Sequence, residues 1–368
     1  MFLRGRFLHF SQLKWHRACI YAKIPRLYAL DANKRCRGTE RTKEKNMKKK
    51  ILVGALVACL AVAMFALSAC GGSKALRFVT GGETGTYYGV GNVIANDVSN
   101  ATDVKVTALA GNGSQANCEA LRSKDAELVF CQSDVMAYAY AGTNLFEKTG
   151  AITNFSTLGA LYMEQVQIVT CDPSIKTVAD LKGKVVSVGA AGSGVYFNAV
   201  DVLAAYGLTL DDITPSYQSF GDSADSLTNG QIDAAFIVAG APTAAITNLS
   251  TTKQAYLVAL DDAHVAKLLA SSPYYSKYII PAGTYKGIDT DTVTVAVGAV
   301  ILVRDDVSED AVYTITARLF DNLKALEGSH AKFAEMSIEF GASVTSVPYH
   351  PGAAKYFQEK GFTVPVKK

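Results

Sequence analysis

The pattern of apolar and polar positions divides this chain into a leader, a punctuated α/β body and two long apolar strands. Leu76-Arg77-Phe78-Val79-Thr80 reads as a strand, Gly81-Gly82-Glu83-Thr84-Gly85 as a tight loop, and Thr86 to about Ser99 as a helix. The unit recurs. Lys184 to Val188 is a strand, Gly189-Ala190-Ala191-Gly192-Ser193-Gly194 a loop, and Val195 to Tyr206 a helix that Gly207 stops. Thr84-Gly85-Thr86-Tyr87-Tyr88 aligns over Ser193-Gly194-Val195-Tyr196-Phe197. Further on, the segment Leu121 to Phe130 aligns over Leu227 to Phe236, each a helix end, a turn, an acidic residue and a buried strand. Leu161 to Thr170 and Thr292 to Arg304 are longer apolar strands and natural crossovers. Asp305-Asp306-Val307-Ser308-Glu309-Asp310 opens an amphipathic helix with acids where the helix dipole favours them. The pattern written twice predicts two α/β lobes closing as a clamshell, with 76–163 and 300–368 forming lobe I and 164–299 lobe II.

The body is preceded by a different kind of sequence. Met47-Lys48-Lys49-Lys50 is followed by nineteen apolar or small residues, Ile51 to Ala69, and then by Cys70-Gly71-Gly72-Ser73. A basic start, an apolar run and small residues before the cut are the parts of a secretory signal peptide, here 47–69. Leu67-Ser68-Ala69-Cys70 resembles a bacterial lipobox. Cys70 is then the lipidation site and the mature N-terminus, with 70–75 as linker. The competing reading is a transmembrane anchor, which the polar Gly/Ser segment directly after the cysteine disfavours. Residues 1–46 show no sustained period, and Lys43-Glu44 can be encoded by a purine-rich ribosome-binding sequence. Met47 is the expected start, with 1–46 a mis-assigned upstream extension.

The leader distorts the charge. The whole chain has 36 basic and 33 acidic residues, a net +3; residues 1–69 hold 15 and 3 of these, leaving 21 and 30, a net −9, in the 299 residues that follow. An acidic mature chain gives no support for nucleic acid as a partner; the membrane partner is expected through the lipid. Of seven cysteines, Cys118, Cys131 and Cys171 remain in the body. There is no CxxC and no Cys/His spacing for a metal, and neither metal nor cofactor is expected. Cys118 should open a helix and Cys131 end the next strand, which places them at one edge of an α/β layer. They pack there as buried free thiols or pair as a disulfide.

The loops carry the candidate chemistry. A helix N-terminus offers free N–H groups and partial positive charge, and glycine lets backbone approach a ligand. Two such termini facing one cleft suit a small carboxylate. The candidate ligand-binding residues are Thr84, Gly85, Thr86 and Tyr87 of the first loop and Gly192, Ser193, Gly194 and Tyr196 of the second. Ser114 and Asn117 at the second helix, Gln132 and Ser133 after the next strand, Phe220, and Gly240 join them, since strand C-terminal ends bind ligands in open α/β sheets. Ser193 also reads as an N-cap, Tyr87 and Tyr196 as core aromatics, and Asp134 as a cap of its own helix. The body has only Arg77, Arg122, Arg304 and Arg318, none in these loops, so a bound carboxylate would be held by backbone N–H, Tyr, Ser and Asn. Neither loop is a Walker A or dinucleotide fingerprint, and no HExxH or GxSxG is present; no catalytic residues are assigned.

Several motifs together resemble the TAXI family, the solute-binding components of one branch of the tripartite ATP-independent periplasmic (TRAP) transporters. They are Gly81 to Tyr88, Gln132-Ser133-Asp134, Tyr206 to Ile213, Gly230 to Phe236 with Gly240-Ala241-Pro242, and Tyr349-His350-Pro351-Gly352-Ala353. The resemblance covers residues 76–363. It implies a type II periplasmic-binding-protein-like clamshell, a glutamate-like or 2-oxoacid-like ligand, and delivery to TRAP membrane permease subunits driven by an ion gradient. Glu83 departs from the family, which has a small residue there. An acid in that loop would disfavour a second ligand carboxylate. The other readings are the receptor of an ABC importer, a ligand-sensing lipoprotein, and an enzyme on the same fold.

Overall fold

The computed structural model describes residues 75–368. The expected extension, signal peptide and Cys70 lie outside the described residues. The chain alternates strands and helices through β1 (Leu76–Val79), α1 (Thr86–Ala101), β2 (Val106–Leu109), α2 (Ser114–Arg122), β3 (Leu128–Gln132) and α3 (Ser133–Ala141). The long β4 (Phe155–Thr170) then leads into β5 (Val185–Ser187), α4 (Val195–Ala205), β6 (Thr214–Ser216), α5 (Phe220–Thr228) and β7 (Ala234–Ala239). After α6 (Ala244–Thr252), β8 (Tyr256–Leu257), α7 (Asp262–Ser271) and β9 (Ser276–Ile280), the second long strand β10 (Thr292–Arg304) returns. The chain finishes with α8 (Glu309–Asp321), three short helical turns, and α9 (Pro351–Glu359).

Eight of the ten strands follow one hydrogen-bonded path, β2-β1-β3-β10-β4-β7-β5-β6, with β8 paired to β4 and β9 to β10 off it. Read inward from each edge it is the same arrangement twice. Three parallel strands (β2-β1-β3, β6-β5-β7) are each followed by an antiparallel long strand, β10 or β4. β10 and β4 pair with each other from Ala296↔Gln165 to Arg304↔Phe155 and pass through both halves. The fold is thus a clamshell of two α/β lobes joined by crossover strands. One core forms around Phe78, Phe130, Tyr162, Val300 and Phe357; another around Val166, Val186, Phe236 and Val297. Crossover strands buried on both faces explain why Thr292–Arg304 reads as an unbroken apolar run. β4 begins at Phe155, earlier than the apolar run from Leu161 suggests. Ser156 and Thr157 interrupt the run but are buried with partners: the Ser156 hydroxyl donates to Asp305 at 2.5 Å and that of Thr157 to the Val347 carbonyl at 2.9 Å. The last helix of the sequence reading starts at Glu309, with Ser308 as its N-cap accepting from the Ala311 N–H.

None of the four arginines reaches the cleft. Arg318 pairs with Asp97 at 2.6 Å, and Arg122 donates to the Thr149 carbonyl at 2.8 Å. Arg77 and Arg304 converge on Glu127 at 2.7 and 3.3 Å, tying β1, β3 and β10 at one edge. The Arg77 guanidinium holds the Glu127 carboxyl down to about 2, against the opposing effect of its partial burial. Its folded value lies below its unfolded one, so the stabilisation is complete above about 4.3 and is lost as pH falls towards 2. Glu127→Gln is expected to cost about 1.5–3 kcal/mol at pH 7, the worth of hydrogen bonds to a charged group. The gap between the urea midpoints of variant and parent should narrow steadily as pH falls from about 4.3 towards 2; a gap that stays constant with pH would refute the assignment.

Cys118 and Cys131 are neighbours, Sγ to Sγ 3.5 Å, and both are buried free thiols. Cys118 sits in the middle of α2, one turn later than the sequence suggests. Among the described residues no helix is long and apolar enough to cross a membrane.

Candidate functional site

Parallel strands within a lobe place all their C-terminal ends, and the helix N-termini that follow, at one edge. The two lobes turn these edges towards each other. The first loop contributes Gly81, Gly82 and Gly85 and leads into α1; Gly111, Asn112 and Gly113 lead into α2; Ala190, Ser193 and Gly194 lead into α4; Ser219 leads into α5. Four helix N-termini thus meet at one cavity of about 110 Å³. Three of them, α1, α2 and α4, have glycine as N-cap (Gly85, Gly113, Gly194), so no cap side chain competes for the first-turn N–H groups. At α5 the cap is conventional, with Ser219 Oγ accepting from the Asp222 N–H at 3.2 Å. The summed partial charge of these termini favours an anionic group.

The lobes are closed on one another. The Thr86 hydroxyl donates to the Gly240 carbonyl at 2.8 Å, the Ala116 N–H to the Gly192 carbonyl at 2.9 Å and the Ala245 N–H to the Thr84 carbonyl at 3.2 Å. The lobes approach so nearly that an added Cβ would be crowded at two places, by backbone at one and by a side chain at the other. A Cβ on Gly113, which has φ of +100°, would lie 3.1 Å from the Ser193 Cα; one on Gly194 would lie 1.8 Å from Gln132 Oε1.

Eight of the expected site residues line this cavity: Gly85, Thr86, Tyr87, Ser114, Gln132, Ser193, Gly194 and Phe220. Six do not. Thr84, Gly192 and Gly240 spend their carbonyls on the bonds between lobes just described. The Asn117 amide donates to the Thr80 and Phe130 carbonyls at 2.6 and 2.8 Å, holding two strands beneath the loop. Ser133 Oγ accepts from the Gly298 N–H at 3.0 Å and fastens α3 to β10. Tyr196, the repeat partner of Tyr87, instead lies against Tyr217 and Phe197 beside a separate groove with Tyr138 and Asp201. Ser193 is no N-cap: that position is Gly194, and Ser193 Oγ is buried without a hydrogen-bond partner. Asp134 is no N-cap either: that position is Gln132, and Asp134 lies in the first turn of α3, accepting from the adjacent Val135 N–H and from Asn198 Nδ2.

The residue the sequence reading missed is Glu164, which lines the cavity from β4. The Tyr87 hydroxyl donates to its Oε2 at 2.5 Å. Burial lifts the Glu164 carboxyl to about 8; Tyr87 and the Lys332 ammonium pull it down, and Asp134 adds to the rise. Burial and the adjacent Glu164 push the Tyr87 phenol well above its usual value. Lys332 is itself buried, donating to Glu335 at 2.6 Å. A signal for Glu164 was present, since a carboxyl inside a strand apolar enough to be buried on both faces needs a reason. Glu83, the acid that drew attention, is exposed and does not line the cavity.

A cleft of helix N-termini between two lobes with doubled β2-β1-β3 order and exchanged long strands defines the type II periplasmic-binding-protein class of fold. The chain belongs to the NMT1-like family, which it matches over residues 78–361. Similar solved structures include the alkanesulfonate-binding protein SsuA from Xanthomonas axonopodis pv. citri bound to MOPS, 18% identical over 77% of this chain and 90% of that one with a TM-score of 0.43. Another is PhnD1 from Prochlorococcus marinus in complex with methylphosphonate, 13% identical over 72% and 91% with a TM-score of 0.49. A third is a putative L-cystine ABC transporter from Listeria monocytogenes, 14% identical over 72% and 98% with a TM-score of 0.44.

Proposed function

We propose that this protein is an extracytoplasmic solute receptor, tethered through lipid on Cys70, that closes two lobes around a small organic acid or amino acid and hands it to a membrane importer. The observation that carries the reading is the cavity between the lobes. Helix N-termini supply positive potential there, and the buried Gln132 Oε1 and Ser193 Oγ have no partner among the described residues. Buried polar atoms are nearly always satisfied, so these two are read as ligand contacts. Closure around a ligand is the mechanism, since the bonds from Thr86 to Gly240 and from Ala116 to Gly192 form only when the lobes meet. A surface tether raises the receptor's effective concentration at the importer.

An ABC importer is one reading of the partner. A TRAP permease, implied by the sequence resemblance, is the second reading. Uptake that survives collapse of the ion gradient while ATP is maintained favours the first; uptake lost with the gradient favours the second.

The receptor reading is tested by thermal-shift titration of the purified protein against organic and amino acids. A ligand at 100 times its Kd adds about 2.7 kcal/mol to stability. Replacing Tyr87 and Ser193 by Ala should remove that gain. A panel without a stabilising compound would sink the reading, and turnover of the bound compound would move the protein to the enzymes.

A further inference from the structure

Away from the ligand cavity the lobes meet at a second hollow, a groove of about 190 Å³. Tyr138 on α3 and Leu145 just beyond it line the groove from lobe I; Tyr196, Phe197 and Asp201 on α4 line it from lobe II. Only the closed protein has this groove. The Phe197 ring lies 5.8 Å from that of Tyr138, centre to centre, and packs into the core of lobe I. The next residue, Asn198, donates from Nδ2 to Asp134 Oδ2 of lobe I at 3.0 Å. Opening the clamshell parts both pairs and divides the groove in two.

The groove is aromatic and acidic. Tyr274 stands edge-on to Tyr138 with ring centres 5.9 Å apart, and Tyr217 stacks on Tyr196 at 6.3 Å. The half-buried Asp201 accepts from the Tyr275 hydroxyl at 2.8 Å. Burial raises its carboxyl, and raises that of the fully buried Asp134 behind it to about 7; among the described residues no lysine or arginine acts on either. The rim is apolar, with Leu145 and Tyr217 left 44% and 51% exposed. A guanidinium answers to all of these features. It is planar and weakly hydrated, stacks on tyrosine rings and pairs with carboxylate. A small cation alone would leave Leu145 and Tyr217 in water, whereas a protein segment carrying arginine among apolar side chains covers them.

We propose that this groove is a docking surface for an arginine borne on an apolar extracytoplasmic loop of the membrane importer, which engages the closed receptor and not the open one. This rests on the receptor reading above and adds the surface by which the partner recognises closure. Selection of one state over another requires contacts that differ between them, and a surface built from both lobes supplies that difference. By linkage, docking favours closure, and with it ligand binding, by the same factor.

The test is uptake, by cells in which each variant replaces the parent gene, of the compound that stabilises the protein in the thermal-shift titration. Calorimetry of the purified variants checks that they bind this compound as the parent does, since neither Leu145 nor Asp201 lines the ligand cavity. Leu145→Lys should cut uptake at least about tenfold, because it sets a like charge against the arginine. Leu145→Glu, equally polar but of the opposite sign, should keep at least about half of it. Asp201→Asn should lower it about tenfold, as the loss of a central charged contact does. Should Asp201→Asn weaken binding of the compound through Tyr275, the Leu145 pair decides alone. Undiminished uptake in Leu145→Lys places docking elsewhere; a loss as deep in Leu145→Glu as in Leu145→Lys shows an uncharged partner. Sedimentation of receptor dimers that Leu145→Lys dissociates gives the surface to a second copy. Each of these three outcomes overturns the proposal and leaves the receptor reading standing, whereas a panel with no stabilising compound takes both down.

Discussion

Gly194→Ala should abolish ligand binding in a protein that still folds. Gly194 has φ of −70°, so alanine costs nothing in backbone conformation and the effect is steric. The added Cβ would stand 1.8 Å from Gln132 Oε1, 2.5 Å from its Cδ and 2.9 Å from Ser114 Oγ. A flexible glutamine would swing aside. This one is buried and held by Asn198 at 3.1 Å, so moving it breaks that bond and leaves Asn198 Oδ1 without its partner. The alternative is for the lobes to stay apart. Overpacking costs about 1–3 kcal/mol and an orphaned buried polar group about as much again. Both fall on the closed state, so the Kd should rise at least about 100-fold, which corresponds to 2.7 kcal/mol. The melting temperature of the unliganded variant should stay within a few degrees of the parent's, because neither lobe's core is touched. An unchanged Kd by titration calorimetry would place the ligand elsewhere.

Phe130→Ala should show the reverse balance, a large loss of stability that carries binding with it. Phe130 on β3 is fully buried between Phe78, with ring centres 5.1 Å apart, and Tyr87, at 4.5 Å and an interplanar angle of 9°. Truncating a buried phenylalanine costs about 3–5 kcal/mol, through lost transfer energy and the cavity left behind. Here the cavity opens directly under Tyr87, the ring that carries the hydrogen bond to Glu164. The variant should lose that 3–5 kcal/mol in urea unfolding. It should also bind more weakly than the stability loss alone explains, because the Tyr87 phenol is no longer clamped. A loss under about 1 kcal/mol would mean that the neighbours collapse into the space, the known route by which such a cost shrinks.

The elements recognised from sequence are those with local causes. β10 runs from Thr292 to Arg304 as the apolar pattern alone suggests, and α1 and α4 begin directly after Gly85 and Gly194. Helix starts and stops depend on a residue and its nearest neighbours, and burial on both faces writes itself as unbroken hydrophobicity. The start of β4 was less legible, because Ser156 and Thr157 are polar in sequence and become core only through partners 149 and 190 residues away. The repeat located both Gly-rich loops but overstated their equivalence. Tyr87 and Tyr196 occupy matching positions, yet only Tyr87 faces a carboxyl across the cleft. The crossover strand that brings Glu164 there is a property of topology and not of either repeat.

By itself, then, the sequence determined the strand–loop–helix units, the duplicated α/β plan, the glycine-rich loops at helix starts and the absence of arginine from the binding loops. Each of these follows from short-range periodicity or from residue type alone. Only the tertiary structure decided which polar groups share the cavity, which way the Gln132 amide points, and that an acid and a phenol sit among four helix N-termini. Those facts depend on pairs such as Tyr87 with Glu164 and Gln132 with Asn198, 77 and 66 residues apart. Such pairs meet only when the register of β4 and the closure of both lobes are fixed. A hydrogen bond acts over about 3 Å, and no local pattern encodes that distance between residues so remote.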